Sequence, residues 1–410
     1  MVNPSDRTPL GPGAEFDLIR RFLEGAAPVG GDVLVGPGDD CAVLRVGQLA
    51  ISTDVSVEGV HFRRAWLSAD EIGGHAAAAA LSDLAAMAAR PLGLLVSIAA
   101  PVEDVPRFAE RVMRGVVEAG EGAGAALLGG DVSVSPGPLF LDVVVLGEAP
   151  APVLRSGARV GDELWVTGTL GAAAAAVEAW RRGQEPPADA RAAFARPRPR
   201  IREALWLNER GVLHAMLDLS DGLAGDAGHL AAASGVGVVL EPGRVPVAAA
   251  ARAVAAPGGT AGPGPASAQS AAATGIRPPG AARPSSKAGA SPTGAQPAAA
   301  RTGPSAAART GAPAATSPTG VKAPGAPAAT DDPALVLALT GGEDYELCFA
   351  AGPGAVEPLA EAFAREFGVP LTRVGRIVEG AGVAVQEADG SVRPLSLSGY
   401  RHFEEVRGVE

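Results

Sequence analysis

The chain has 410 residues, 47% of them hydrophobic, with a formal net charge of −11. This length is enough for two ordinary domains, and the acidic balance argues against a nucleic-acid-binding surface. The apolar stretches, such as Leu92 to Ala100, are too short to cross a bilayer, and the N-terminus carries no signal-peptide pattern, so we expect a cytoplasmic protein that binds neither membrane nor nucleic acid.

The first 150 residues alternate between strand and helix patterns. Strands are predicted at Leu49–Thr53 and at the valine-rich Leu139–Leu146. Between them, Ser68 and Glu71 have the spacing of a capping box and precede an alanine-rich run, which predicts a helix. We therefore interpret residues 1–150 as an α+β domain.

Residues 151–410 predict a second, α/β domain. It begins with a strand at Glu163–Val166 and a glycine-flanked helix from Ala172 to Arg182. Farther along, the aliphatic run Leu335–Thr340 predicts a strand that leads into a glycine turn.

A low-complexity segment at about residues 248–330 interrupts this domain. It consists mainly of Ala, Gly, Pro, Ser and Thr, with seven cations and no Asp or Glu. Such a composition buries too little apolar surface to offset the entropy of ordering the chain. We expect a disordered insert that loops out of the surface; a partner-binding segment is the alternative.

Acidic residues recur where predicted strands end and glycine turns begin. They are Asp39, Asp40, Asp54, Asp131, Asp218, Asp221, Glu343 and Asp344. Asp83 differs, because it lies inside the alanine-rich helix, where an unpaired carboxylate is costly. A single Asp-Gly is usually a solvated turn, but such a series favours Mg²⁺ or Mn²⁺ that bridges carboxylates to substrate phosphates.

The sequence excludes two common motifs for binding the phosphate groups of nucleotides. The chain has no GxxxxGK[ST] motif, and both of its lysines fall in the low-complexity segment, which also excludes the protein-kinase pattern. Among the histidines, His61 follows Asp54 by one strand length and is a candidate site residue, whereas His75 and His229 are interpreted as structural. No Ser/His/Asp arrangement predicts a hydrolase.

In this order, the motifs resemble the thiamine-monophosphate kinase family. The matching phrases are GPGDDCAVL (36–44), ISTDVSVEGVHF (51–62), LSDLAAMAARP (81–91), LLGGD (127–131), RSGARVGDELWVTG (155–168), LDLSDGLAGDAGHL (217–230), GGEDYELCF (341–349) and GYRHF (399–403). The resemblance implies a two-domain aminoimidazole ribonucleotide synthetase-like fold. Its N-terminal domain would dimerise through its sheet, and the site would lie between the domains.

The resemblance also assigns roles to individual positions. It implies Mg²⁺ ligands at Asp40, Ser52, Thr53, Asp54, Asp83, Asp131, Asp218 and Asp221. It implies ATP contacts at Gly130, Asp131, Arg155 and Ser220, and thiamine monophosphate contacts at His61, Glu343 and Tyr400. After Asp131, the segment Val132–Pro136 replaces a shorter turn that the family often has, which affects the details of the nucleotide contacts.

The implied reaction is in-line transfer of the ATP γ-phosphoryl group to the phosphate of thiamine monophosphate, giving thiamine diphosphate. A phosphate oxygen is already largely ionised at neutral pH, so neither a general base nor a covalent intermediate is expected. Two alternatives stay open. One is a related ATP-dependent enzyme with a different small acceptor; the other is a Ca²⁺- or Mg²⁺-binding regulatory protein without turnover.

Overall fold

A computed structural model describes residues 21–22, 33–35, 43–45, 47–105, 107–256 and 332–395. Of the features named above, Asp39, Asp40, Tyr400 and all but the first residues of the predicted insert lie outside these ranges. In the described part of the chain, no helix is both long enough and apolar enough to span a membrane.

The N-terminal half is a four-stranded sheet covered by helices on one face. The sheet has the order β3-β6-β4-β5, and β4 and β5 are its parallel pair. The elements are β1 (Val33–Val35) and β2 (Val43–Leu44), which pair with each other, β3 (Leu49–Val57), α1 (Ala69–Ala86), β4 (Arg90–Ala100), a 3₁₀ turn (Val102–Asp104), α2 (Arg107–Ala123), β5 (Ala126–Val134) and β6 (Phe140–Glu148). Along β6, Leu141, Val143 and Val145 are buried and alternate with half-buried residues, so one face packs on the helices and the other faces outward.

The start of α1 confirms the predicted capping box. The Glu71 side chain accepts a hydrogen bond from the Ser68 backbone N–H at 3.0 Å, and Ser68 Oγ accepts from the Glu71 N–H at 3.4 Å. Two N–H groups that the first helical turn leaves without partners are thereby satisfied. The helix begins where the sequence predicts and carries Ser82 and Asp83 in its last turns.

The C-terminal half contains a seven-stranded sheet in the order β13-β12-β9-β11-β7-β10-β8, within the residues described. Its elements are β7 (Glu163–Thr167), α3 (Ala172–Arg181), α4 (Ala188–Ala195), α5 (Ile201–Glu209), β8 (Leu213–Asp218), α6 (Leu223–Ser234), β9 (Gly237–Leu240), a 3₁₀ turn (Pro242–Arg244), α7 (Ala249–Ala255), α8 (Pro333–Thr340), β10 (Leu347–Ala351), α9 (Glu357–Phe367), β11 (Leu371–Val378), β12 (Gly382–Gln386) and β13 (Val392–Pro394). Each half has its own sheet and helices, which confirms the predicted α+β class.

The prediction of a strand at Leu335–Thr340 is wrong, because this segment is the helix α8. Asp332 caps it by accepting a hydrogen bond from the Ala334 N–H at 2.9 Å, and Pro333 occupies its first turn. Ala334, Leu335, Ala338 and Leu339 are buried on one side. A short, wholly aliphatic run does not distinguish a buried strand from a buried helix, so the cap was the stronger signal.

The predicted insert starts too early at residue 248. Residues 249–255 form α7, which buries Ala250, Ala251 and Val254. Alanine-rich composition does not prevent helix formation when one face packs against a core. The described structure therefore extends to residue 256 and resumes at residue 332.

Aromatic side chains connect the two halves. Trp66, which precedes α1, stacks on Trp180 of α3, with ring centroids 5.1 Å apart and planes 7° apart. Trp180 meets Phe194 of α4 edge-on at 5.6 Å, and Phe194 contacts the His75 ring at 4.9 Å. Offset and edge-to-face aromatic contacts add to the stabilisation from burial alone. The stack fixes α1 against α3 and α4.

Deleting residues 257–328 is expected to leave folding and turnover nearly unchanged. The helices on either side of this segment, α7 and α8, contact each other and both pack on α3. Arg252 Nη1 of α7 lies 3.9 Å from Oδ2 of Asp332, the residue that caps α8. A short connection can therefore join the two helices. The shortened chain should keep its thermal midpoint to within about 4 °C, the shift that corresponds to roughly 1 kcal/mol. Insoluble protein would contradict this expectation.

Candidate active site

Hydrogen bonds between carboxylates and hydroxyls join β3, α1 and β8 at the boundary between the halves. Ser52 of β3 donates to Asp83 Oδ2 at 2.5 Å. The preceding residue of α1, Ser82, donates to Asp218 Oδ2 at 2.7 Å, and this bond is buried. Because Asp218 ends β8, the last turns of α1 connect an N-terminal strand to a C-terminal one. The two hydrogen-bonded pairs, Ser52–Asp83 and Ser82–Asp218, thus lie next to each other along α1.

Asp54 adds a further carboxylate to this group. Burial raises the pKa of Asp54 to about 6, and the charges of Asp83 and Glu343 act in the same direction, against a smaller opposing effect of His75. Burial likewise raises the pKa of Asp218 to about 6, with Asp83 adding to it and Arg155 opposing it. Ionised carboxylates this close repel each other in a partly buried site. A hard cation with oxygen ligands would relieve that repulsion.

The turn between β8 and α6 forms the C-terminal wall of the site. It contains Ser220, which is exposed, and Asp221, whose N–H donates to Asp226 Oδ2 at 3.1 Å. Burial raises the pKa of Asp226 to about 8, and the charges of Asp218 and Asp221 raise it further. Ligand atoms of Asp221, Asp226 and His229 lie within 4.8 Å of one another. The turn and the first turns of α6 therefore offer oxygen and nitrogen donors beside Asp218.

The loop at Gly341–Glu346 presents Glu343 to the same place. Its backbone is held by the β8–α6 turn, since the Glu343 N–H donates to Ser220 O and the Tyr345 N–H to Leu219 O, both at 2.9 Å. Glu343 and Tyr345 have φ values of 72° and 48°, the left-handed region that side-chain-bearing residues seldom adopt. These bonds to the turn hold the uncommon conformation, and a strained backbone of this kind is typical of functional sites.

The Glu343 carboxylate is held by its neighbours. His75 Nε2 lies 2.9 Å from Oε2, and the Tyr345 hydroxyl donates to the same oxygen at 3.0 Å. Burial would raise the pKa of Glu343, but the charge and hydrogen bond of His75 outweigh it, and His61 also acts to lower the pKa. His61 accepts a hydrogen bond from the Val57 N–H at Nδ1, at 3.0 Å. Both predicted substrate residues of the described chain therefore face one location.

We expect Gly342→Ala to destabilise the protein. A Cβ atom at this position would lie 2.2 Å from Ser220 O, a backbone atom that cannot move aside alone. The free energy of unfolding should fall by about 2 kcal/mol, as for other overpacked sites, and urea denaturation would measure it. Gly228→Ala is the control, because its Cβ would meet Val383 at an ordinary 3.7 Å. Equal stabilities of the two variants would contradict the close approach.

Three predicted residues lie away from this cluster. Thr53 and Asp131 are on the outward face of the N-terminal sheet, opposite to that of Ser52 and Asp54, and Gly130 lies beside Asp131 on the edge strand β5. Thr53 Oγ1 donates to Asp142, and Ser97 pairs in register with both Asp131 and Asp142. The structure thus brings Asp131 into one row with Asp142, not with Asp54.

Sequence reasoning missed several residues of the site. Asp226 lies inside the quoted motif LDLSDGLAGDAGHL, five residues after Asp221, and this acidic spacing at the start of a helix was the available signal. His75 was interpreted as structural, although it contacts Glu343 directly. Asp142, which lies in the outward row with Asp131 and not in the site, falls inside the predicted strand Leu139–Leu146, so only strand pairing reveals its position.

Comparisons with known proteins agree with this arrangement. Residues 38–149 match the family model for the N-terminal domain of AIR synthase related proteins, and residues 159–264 match that for the C-terminal domain. A thiamine-monophosphate kinase of Mycobacterium tuberculosis is 37% identical over 230 residues, which cover 55% of this chain and 68% of the relative.

Two solved structures extend the similarity over nearly the whole chain. The crystal structure of thiamine-monophosphate kinase from Stenotrophomonas maltophilia is 30% identical, with a TM-score of 0.64, and the match covers 93% of this chain and 98% of that one. The structure of AaThiL complexed with AMPPCP and TMP is 26% identical, with a TM-score of 0.62, and covers 94% and 95%.

Proposed function

Since the chain belongs to the thiamine-monophosphate kinase family, we propose that it transfers the γ-phosphoryl group of ATP to the phosphate of thiamine monophosphate. One observation supports this most: carboxylates from both halves meet through the Ser52–Asp83 and Ser82–Asp218 hydrogen bonds. A related structure holds AMPPCP and TMP together, the pair of ligands that such a transfer requires. The product would be thiamine diphosphate.

The acidic cluster fits Mg²⁺. Its donors are carboxylate and hydroxyl oxygens, and burial raises the pKa values of Asp54 and Asp218 although His75 and Arg155 oppose it, so the positive charge nearby does not offset the cost of ionisation. We propose Ser52, Asp54, Asp83, Asp218 and Asp221 as ligands. When bound, Mg²⁺ would supply positive charge to the phosphate oxygens during transfer.

The remaining ligand assignments are proposals drawn from the family resemblance. Asp40 and Tyr400 lie outside the described residues. Thr53, Gly130 and Asp131 are on or beside the outward face of the sheet and would require an approach to the site from that side.

The nucleotide would lie near Ser220 and Arg155. Ser220 is exposed in the turn after β8, and Arg155 is near enough to Asp218 for its charge to oppose the rise in the pKa of Asp218 that burial causes. The guanidinium group of Arg155 can pair with phosphate oxygens. Thiamine monophosphate would contact His61 and Glu343. No residue is required as a general base, because the attacking phosphate oxygen is already ionised.

ADP release in the presence of Mg²⁺, with and without thiamine monophosphate, tests the proposal. We expect release that depends on thiamine monophosphate, together with formation of thiamine diphosphate. Unphosphorylated thiamine is the matched control acceptor, since it lacks the phosphate that attacks. ATP turnover with another acceptor, or no turnover with any, would overturn the proposal in favour of the two alternatives kept open above.

We also propose that the protein is a homodimer formed through the outward face of the N-terminal sheet. Leu49, Ile51 and Val55 of β3 alternate along this face and are 36%, 62% and 38% exposed. Such a group of exposed aliphatic residues is typical of an interaction surface. The expected cytoplasmic location stays part of this proposal, supported by the buried free thiol of Cys348.

Ile51→Asp should therefore convert the dimer to a monomer, because a carboxylate at the interface would be desolvated without a partner. Light scattering coupled to size exclusion would measure the mass. Val160→Asp provides the control, since Val160 is 56% exposed in the C-terminal half. A wild-type monomer, or a dimer in both variants, would contradict the proposed interface.

A further inference from the structure

His75, a residue of the N-terminal half, contacts Glu343 of the C-terminal half. It lies on α1, is 2% exposed, and packs between the Phe194 and Tyr345 rings. Each of its ring nitrogens meets an oxygen. Nδ1 lies 2.7 Å from the Phe194 backbone O, and Nε2 lies 2.9 Å from Glu343 Oε2. A buried histidine with an oxygen at hydrogen-bonding distance from each ring nitrogen makes specific polar interactions in addition to packing.

The two contacts determine where the ring protons lie. A backbone carbonyl can only accept, so Nδ1 must carry a hydrogen. The Nε2 contact then requires a proton between the ring and the carboxylate. Burial would lower the pKa of His75, but the charge and hydrogen bond of Glu343, the Phe194 carbonyl and the charge of Asp54 together raise it. The arrangement is that of an imidazolium paired with a carboxylate.

This pairing also orients Glu343. His75 and the Tyr345 hydroxyl both contact Oε2, on a side chain that is 28% exposed. Both of these contacts are to Oε2, which leaves the other oxygen, Oε1, as the atom that we expect to meet a ligand. In the described chain the surroundings of Glu343 are acidic, with Asp54 and Asp344 close enough to interact with it. Without an adjacent cation, the partly buried carboxyl of Glu343, surrounded by these other carboxyls, would take up a proton.

We propose that His75 is a positioning residue for the acceptor substrate: as an imidazolium it keeps Glu343 ionised and directs Oε1 to a cationic or N–H-donating group of that substrate. This inference rests on the proposed function. Thiamine monophosphate offers both kinds of group, a thiazolium cation and an aminopyrimidine. An ionised carboxylate attracts either of them, whereas a neutral carboxylic acid would lose the charge–charge attraction.

His75→Gln and His75→Lys separate the charge from the hydrogen bond. Glutamine retains an N–H donor near the position of Nε2 but is neutral, whereas lysine retains the positive charge. We expect His75→Gln to raise the KM for thiamine monophosphate by about tenfold, with the KM for ATP changed by less than about twofold. His75→Lys should recover most of the loss. His214→Gln is the control, because His214 makes a similar contact, 2.9 Å to Asp162, outside the site.

Three results would overturn the inference: an unchanged KM for thiamine monophosphate in His75→Gln, equal losses in the glutamine and lysine variants, or a neutral His75 ring in ¹⁵N NMR of the full chain at pH 7.5. If the lysine variant does not fold, Tyr345→Phe removes the other hydrogen bond to Oε2 and should raise the same KM by about threefold. Absence of activity in the wild-type protein, with a charged His75 ring, would reject the proposed function while leaving the His75–Glu343 pair in place.

Discussion

Asp54→Asn is expected to abolish most of the turnover while stabilising the metal-free protein. The carboxylate would be a ligand of the Mg²⁺ that offsets the charge of two phosphate substrates, so kcat should fall by about 10²–10³, as for loss of other electrostatic groups in active sites. The folded protein, in contrast, disfavours the ionised carboxylate, since burial and the charges of Asp83 and Glu343 raise its pKa to about 6.

The sign of the stability effect follows from this shift. A carboxyl whose pKa rises from 3.8 to about 6 on folding makes the folded state progressively less stable as the pH increases between those values. Well above pH 6 the free energy of unfolding of the wild-type protein is lowered by the full amount that corresponds to this pKa shift. Asparagine does not ionise, so the variant does not lose this stability. We expect Asp54→Asn to raise the free energy of unfolding by roughly 1–3 kcal/mol at pH 8 in a chelator, by about half as much at pH 5, and by little at pH 4.

Asp70→Asn is the matched control. Asp70 lies on the same half of the molecule but outside the site, in contact with Arg111 and Arg114. Partial burial acts to raise the pKa of Asp70, but the hydrogen bonds and charges of these two arginines outweigh it and lower the pKa. Asparagine at this position should keep the activity and lower the stability by at most about 1 kcal/mol, as for other exposed ion pairs. Near-normal turnover of Asp54→Asn, or a lower stability at pH 8, would reject the metal assignment.

Removal of divalent cations should eliminate activity, and the requirement for Mg²⁺ should depend steeply on pH. Three carboxyls in the cluster have raised pKa values, about 6 for Asp54 and Asp218 and about 8 for Asp226, in each case chiefly through burial. Protons therefore compete with the metal at these oxygens. From pH 5.5 to pH 7.5, we expect the apparent affinity for Mg²⁺ to rise by about tenfold or more.

Thermal unfolding without nucleotide measures this effect free of the titration of ATP. Without metal, stability should decrease as the pH rises through 6, because raised carboxyl pKa values favour the protonated folded state. Added Mg²⁺ should reverse that loss at pH 7.5 and have little effect at pH 5.5. Asp54→Asn should weaken the response, and Asp70→Asn should not. A response to Mg²⁺ that is the same at both pH values would contradict a site at these carboxylates.

The sequence predicted those parts of the fold whose signals are local. The capping box of Ser68 and Glu71 fixed the start of α1, and the valine-rich pattern identified β6. The prediction for the α8 segment was wrong, because a nearly continuous aliphatic run has no periodicity that separates a helix from a strand, and only the Asp332 cap indicates a helix. Burial of one face of α7 was equally invisible in an alanine-rich composition.

The site was predictable in its residue types and not in its geometry. Family motifs pointed to Asp54, Asp83 and Asp218; Ser52 and Ser82 donate hydrogen bonds to Asp83 and Asp218, and the charge of Asp83 acts on Asp54. No local pattern could show that Asp131 lies on the outward side of the sheet, since that depends on the register of β4 and β5. Contacts between the halves, such as His75 with Glu343, depend on tertiary packing over long sequence separations.

The stacked indoles of Trp66 and Trp180 have a consequence for engineering this enzyme. One ring belongs to each half, and a two-pronged ion pair between Arg191 and Glu71 stands beside them. A chimaera that exchanged only one half with a relative would have to reproduce both complementary surfaces. Splitting the chain after β6 would leave each fragment with a bare aromatic patch and encourage aggregation. Swaps and truncations should therefore keep the two halves from the same parent.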